Sequence, residues 1–273
     1  MRVLRKGMIG EDVKQWELFL HGAGFTFTTP RDEEFDAETE KLTKAFQKKN
    51  KLKDDGIVGN ETFGVAMTQG FEAVPFVKEP EAKFPEKPNF DPIVGNAARD
   101  IIFGPLKFKG GPTSGDFGKE TITITNDFES AKITRVGIPE LVGIKGAGSS
   151  GKMRFHAAAA EQVAGLWAAW GRTKLLKLVL TFDGAFAPRF IRCNNTSLSN
   201  HAFGTAFDIN ADENPLGAQP ALPGDKGCVF ELVPIAHQFG FYWGGHFSRR
   251  DGMHFEVAKV LTSAEVSAAL AKF

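Results

Sequence analysis

The 273-residue chain reads as a multidomain protein. An all-α three-helix bundle is expected over residues 1–70, a proline-rich linker over 71–94, and an α+β domain with a small antiparallel sheet over 95–273. Three observations predict this. Apolar residues recur at helical spacing in the first 70 residues. Pro75, Pro80, Pro85, Pro88 and Pro92 then interrupt a charged stretch. Beyond it, alternating and helical segments follow one another without a regular βαβ rhythm, the pattern of an α+β domain. The length suits one large or two ordinary domains.

In the first unit Val13, Trp16 and Leu20 lie on one helical face, and Gly22 and Gly24 end the pattern. Asp36 is placed to cap a second helix whose Thr39, Leu42, Ala45 and Phe46 share a face. Residues 50–59 form a polar, glycine-containing turn. Asn60 is expected to cap a short third helix ending near Gly70. In the linker, proline at that spacing excludes regular helix or strand and favours a semi-rigid, extended chain.

In the second unit ETITITNDF (120–128) alternates with period two and predicts a strand. MRFHAAAAEQVAGLWAAWGR (153–172) predicts a helix, with Trp167, Ala168 and Trp170 packing it on the core. KLLKLVLTF (174–182) is apolar enough for a buried strand.

Acidic and basic residues balance at 33 each, so nothing marks a polycationic binder of nucleic acid or membrane surfaces. No apolar run approaches the roughly 20 residues that span a bilayer, so no membrane insertion is expected. The N-terminal stretch MRVLRKGMIGEDVKQW lacks the apolar core of a signal peptide, which predicts synthesis in the cytoplasm. Cys193 and Cys228 are too few for a disulfide scaffold and form no C-x-x-C pair. They read as two buried or unpaired thiols, with a single disulfide as the alternative. A monomer is expected.

The chemistry concentrates in PRFIRCNNTSLSNHAFGTAFDINADENP (188–215). Residues 206–210 look like a strand, with Ala206, Asp208 and Asn210 on one face and Phe207 and Ile209 on the other. Gly204 would let the chain bend and return His201 toward Asp208. An imidazole nitrogen and a carboxylate oxygen suit zinc, but a catalytic site needs a third protein ligand and an open fourth position. Candidates are His21, His156, His237, His246 and His254. The segment FYWGGHFSRRDGMHFEV (241–257) favours His254, which opens an apparent strand three residues after Asp251.

SLSNHAFGTAFDIN followed by WGG and DGMHFE resembles the zinc peptidase family that contains the VanX- and VanY-like D-alanyl-D-alanine peptidases and the L-alanyl-D-glutamate endopeptidases of phage lysins. The Ser-x-His-x-x-Gly-x-Ala-x-Asp block falls on 199–208, and the carboxylate three positions before a final His falls on Asp251 and His254. The resemblance implies Zn2+ held by His201, Asp208 and His254, with Asp251 in acid–base work. It implies an upstream arginine for the carbonyl oxygen, for which Arg189 and Arg192 both qualify, and a substrate-orienting or supporting role for Ser199. The first unit resembles the peptidoglycan-binding domain of wall hydrolases, through GMIGEDVKQWELFL, DAETEKLTKAFQKKN and KDDGIVGNETF.

These resemblances imply a modular peptidoglycan hydrolase of phage-endolysin type that cuts the L-Ala–D-Glu bond of wall peptide stems after release from the cytoplasm. The alternatives are a D-Ala-D-Ala carboxypeptidase on the same scaffold and a non-catalytic wall-binding protein with structural zinc. Asp251 could instead only open a turn at Asp251-Gly252. Glu256 is a rival base, because period two sets it on the face of His254. His21, His156 and His237 read as structural, and so does His246, with a supporting or substrate role near the motif as its alternative.

Overall fold

The computed structural model describes residues 3–28, 33–71, 84–112, 119–192 and 194–273. Its first unit holds helices α1 (Glu11–Gly22), α2 (Ala37–Lys49) and α3 (Asn60–Thr68). Asp36 caps α2 by accepting from the Thr39 backbone N–H, as its position next to the first helical residue requires. The buried face of α2 is Thr39, Thr43, Phe46 and Gln47; Ala45 is exposed, one step off the expected stripe. Asn60 is the first residue of α3 and Gly59 is its cap. Trp16 sits at the centre, edge-on to Phe46, Phe63 and Phe71, with its indole N–H donated to Thr43 Oγ1 at 2.9 Å.

Residues 72–83 of the expected linker lie outside the described residues. The part from Phe84 onward packs on the second unit, Phe84 lying against Phe230 and Trp243. The Phe84 ring supplies a docking contact that the proline count conceals.

The second unit runs α4 (Asn96–Phe103), β1 (Phe108–Gly110), β2 (Ile122–Ile124), α5 (Phe128–Lys132), β3 (Ile133–Gly137), β4 (Lys152–His156), α6 (Ala160–Arg172), β5 (Phe182–Gly184), α7 (Asn200–Phe203), β6 (Ala206–Ile209), α8 (Val233–Gln238), β7 (Phe241–Trp243), β8 (His254–Val257) and α9 (Ser263–Leu270). Two antiparallel pairs, β1–β2 and β3–β4, flank a four-stranded antiparallel sheet ordered β5-β6-β8-β7.

Three local expectations are corrected. Residues 120–128 hold a strand of only three residues, and Phe128 already begins a helix. The helix expected from 153 starts at Ala160, because 152–156 pair with β3 as a strand. The run expected as a strand over 174–182 is a 3-10 turn at Leu175–Leu178, and strand begins only at Phe182. A short apolar run does not distinguish these states by periodicity.

The four-stranded sheet has two unlike faces. Phe207 and Phe255 stack on one face, with ring centroids 5.5 Å apart, and Trp167 and Trp170 of α6 cover them. Period two sends Asp208, His254 and Glu256 to the other face. The site is built there.

Candidate metal centre

The register of β6 against β8 sets Asp208 directly opposite His254. His201 arrives from α7, which Ser199 caps by accepting from the His201 backbone N–H. Gly204 ends that turn with a positive φ of 66°. A Cβ there would come within 2.6 Å of Ile133 and 3.2 Å of the His156 backbone nitrogen. The bend that returns His201 to β6 therefore requires glycine.

Three atoms converge as a result. His201 Nε2 lies 3.1 Å from Asp208 Oδ2 and 3.2 Å from His254 Nδ1, which lies 2.9 Å from Asp208 Oδ1. A tetrahedral zinc site with bonds of about 2.0–2.1 Å has ligand–ligand edges of about 3.3 Å. The donors N, N and O are thus of the right kind, and one ligand atom from each of the three residues lies within 4.8 Å of the others, the two short carboxylate contacts running to different oxygens of Asp208. Both rings are turned by their far nitrogens. His201 Nδ1–H donates to the Ala185 carbonyl, and His254 Nε2–H donates to Glu256 Oε2 at 2.9 Å. Each hydrogen bond turns the other nitrogen toward Asp208; at His254 the two carboxylates hold a proton on that nitrogen, which a bound cation would displace.

The electrostatics favour a cation. Burial alone would lower the His254 pKa, but hydrogen bonds to Asp208 and Glu256 push it up to about 10. Burial opposes ionisation of Asp208, yet His201 and His254 hold it well below the usual carboxylate range.

Asp251 enters the same cleft from the loop before β8. Its backbone closes a turn, accepting from His254 N–H at 3.1 Å. Its carboxylate Oδ1 is buried with no hydrogen-bond partner. Burial first, and the Asp208 charge with it, push its pKa up to about 6 against the opposing pull of His254, His201 and Arg189. Turn closure is therefore the work of the backbone, and the carboxylate is left facing the cleft.

The two candidate arginines separate. Arg189 is half-buried, and burial lowers its pKa while the charges of Asp208 and Asp251 counteract that effect. Arg192 extends outward, and its Nη1 pairs with Glu61 of the first unit at 2.9 Å. Both line a cleft of about 890 Å³ that also contains Asp208, Asp251 and His254, and to which the first unit contributes Ile57 and Asn60.

The remaining candidates lie elsewhere. His156 Nε2 hydrogen-bonds the Phe103 carbonyl in the core. His237 and His246 face one another with centroids 5.4 Å apart, away from the metal cluster. Glu256 lines the same cleft, but its Oε2 is engaged by His254 Nε2, the nitrogen away from Asp208, and by Asn200 Nδ2. Cys228 is free and partly buried, while Cys193 lies outside the described residues. The sequence reading missed Asn200 and Arg99, whose Nε donates to Asn200 Oδ1 at 2.8 Å. Asn200 adjoins a singled-out histidine, but Arg99 carries no local signal.

Comparison with known proteins matches these regions separately. Residues 192–257 match the model of a peptidase M15 family described as D-alanyl-D-alanine carboxypeptidase. Residues 9–65 match a peptidoglycan-binding domain. No curated protein matches the chain. Among solved structures, that of Burkholderia AP3 phage endolysin is similar at 28% identity over 28% of this chain and 27% of that one, with a TM-score of 0.24. The chain thus carries a segment matching a peptidoglycan-binding domain, followed by one matching a peptidase M15 family that encloses all three candidate metal ligands and Asp251.

Proposed function

We propose that the chain is a modular peptidoglycan hydrolase of endolysin type, with a zinc-dependent endopeptidase that cleaves the L-Ala–D-Glu bond of wall peptide stems. One observation carries the reading: His201 Nε2, Asp208 and His254 Nδ1 meet in a cleft with Asp251, whose Oδ1 is buried without a hydrogen-bond partner. The matched families support the wall as substrate, through a binding unit placed ahead of a peptidase unit. The cleft of about 890 Å³ lies toward the upper end of small-ligand pockets, with room for a stem that continues past the scissile bond on either side.

Zinc on this ligand set would acidify a water to a pKa of about 7 and polarise the scissile carbonyl. Asp251 takes the proton of the attacking water and returns one to the leaving amine. Burial and the Asp208 charge favour its protonated form, and a bound cation would pull it back toward the carboxylate that a base needs. Arg189, beside Asp208 and Asp251, is the donor for charge developing on the carbonyl oxygen. His201 and His254 keep their orientation through Ala185 and Glu256, and Ser199 fixes the turn that carries His201. The same set could release terminal D-alanine, and the description of the matched peptidase family favours that second reading.

Mass spectrometry of purified peptidoglycan after digestion, with and without a chelator, tests the proposal. Chelator-sensitive fragments with a new D-Glu amino terminus are expected. Release of D-alanine alone would establish the carboxypeptidase, and absence of any chelator-sensitive product would leave a binding protein.

A further inference from the structure

Glu256, Asn200 and Arg99 make a buried chain at the far nitrogen of His254, along the same cleft, that the proposed hydrolysis does not use directly. Asn200 Nδ2 donates to Glu256 Oε2, the oxygen that accepts from His254 Nε2–H. Arg99 Nε donates to Asn200 Oδ1 at 2.8 Å, and its Nη1 lies 3.3 Å from the Leu198 carbonyl. Arg99, Asn200 and Glu256 are at most 5% exposed. A buried carboxylate and a buried guanidinium each cost several kcal/mol to desolvate. Here they are linked through an amide, not paired directly, and the chain ends on an imidazole. The three residues come from α4, α7 and β8, so the arrangement fixes three elements about one ring.

An imidazole can offer a metal either nitrogen, and the hydrogen bond at the other nitrogen decides which. Strand periodicity places Glu256 two residues beyond His254 on the same face. There it can bind only the Nε2 side.

We propose that Arg99, Asn200 and Glu256 are positioning residues that hold His254 in the tautomer and rotamer presenting Nδ1 to the metal. The proposal rests on the reading of His201, Asp208 and His254 as a metal centre. Arg99 orients the amide of Asn200 by occupying its oxygen. The amide is then bound to direct its N–H at Glu256, and Glu256 is held against the ring. Removing an outer partner of this kind costs about 10–100-fold in metal affinity.

The test is zinc affinity of the full chain, measured by competition with a chromophoric chelator, together with the visible spectrum of the cobalt-substituted protein. Glu256→Ala is expected to weaken zinc binding by about 10–100-fold and to alter the cobalt spectrum. Glu256→Gln, which can still accept from Nε2–H, is expected to recover part of the affinity. Arg99→Met, two links from the ring, is expected to give a smaller loss in the same direction and stands in if Glu256→Ala does not fold. Unchanged affinity and cobalt spectrum in folded Glu256→Ala or Arg99→Met, with only a lower melting temperature, would overturn the proposal and leave a purely structural network. His254→Ala separates the two readings. If it binds zinc like the parent chain, the metal centre itself is wrong. If it alone loses zinc, the centre stands and the positioning role falls.

Discussion

The two units bury polar groups to opposite ends. In the first, the buried amide of Gln47 and the indole of Trp16 bind other side chains and the backbone. Gln47 Nε2 lies within hydrogen-bond reach of Asp55, the Ile57 carbonyl and Thr62, and its oxygen accepts from Gly56 N–H, so one amide ties down a whole turn. Trp16 spends its N–H on Thr43. In the second unit, one sheet face gathers Asp208, His254 and Glu256, and Asp251 is left with a buried oxygen and no partner. Satisfied polar groups hold a fold in one arrangement. A buried carboxylate oxygen left without a hydrogen bond costs stability, and under the proposed function Asp251 carries that cost to serve as the base.

The largest effect that would sharpen this contrast is on turnover. Asp251→Asn is expected to lower cleavage of soluble wall peptides by at least about 10²-fold as a lost general base, with zinc content retained. Equal turnover in parent and variant would remove Asp251 from the mechanism. Arg189→Ala is expected to lower kcat by about 10²–10³-fold, and Arg192→Ala far less, because only Arg189 is held beside Asp208 and Asp251. Comparable losses in both would put Arg192 in the oxyanion role as well.

On the satisfied side, Trp16→Ala removes a side chain with no exposed surface and leaves Thr43 without its donor. A loss of about 3–5 kcal/mol is expected, as for other buried tryptophans. Denaturant unfolding should show the first unit melting earlier while the second keeps its transition, with retention on insoluble wall lost. A joint shift of both transitions would break the comparison by making the two cores one cooperative body.

How much of this could be read from the sequence depends on how far apart the partners lie. His201 and Asp208 were legible because a glycine bend and a strand bring them together within eight residues. Asp251 and His254 were legible because they share one turn and strand. Asp36 was legible because capping is local. The stretch 174–182 was not, since its apolar residues suit a turn packed on the core as well as a strand. The β4 strand was hidden because its residues run directly into the alanines that precede α6. Arg99 was illegible for a different reason: its partner Asn200 is 101 residues away, and nothing near Arg99 distinguishes it from a surface arginine. Phe84 was lost in the proline pattern, although its ring packs against His246 at 5.9 Å.

That docked segment bears on pH. Burial first lowers the pKa of both His237 and His246 to about 4; His246 adds to the effect at His237, and Lys87 to that at His246. The Nε2 atoms of both are buried without partners. The unfolded chain takes up these protons near the ordinary histidine value of about 6.5, whereas the folded chain does so only near 4. Between those values the unfolded state binds more protons, so stability is complete above about 6.5 and falls as pH drops toward 4. The pair contributes stability on the order of 3 kcal/mol per histidine at most over that window, less where one histidine's shift depends on the other. His246→Phe keeps a ring between Phe84 and Trp243 and should flatten the slope of stability against pH, followed by chemical denaturation at several pH values. An unchanged slope would mean that the pair is hydrated in solution.

The smallest effect concerns the join between the units. Arg192 and Glu61 pair at 2.9 Å across it with side chains 43% and 56% exposed, and a pair this open is worth less than about 1 kcal/mol. Glu61→Lys should therefore move the melting temperature by only a degree or two, and by less in high salt, where such pairs are screened. Its value lies in what it does to substrate. Ile57 and Asn60 of the first unit line the same cleft as His254, so repulsion at Arg192 should open that wall. A higher KM for a soluble stem peptide, with kcat unchanged, would show that the unit matching a wall-binding domain also shapes the catalytic cleft. An unchanged KM would confine it to tethering, and the contrast between a binding unit and a catalytic unit would then be complete.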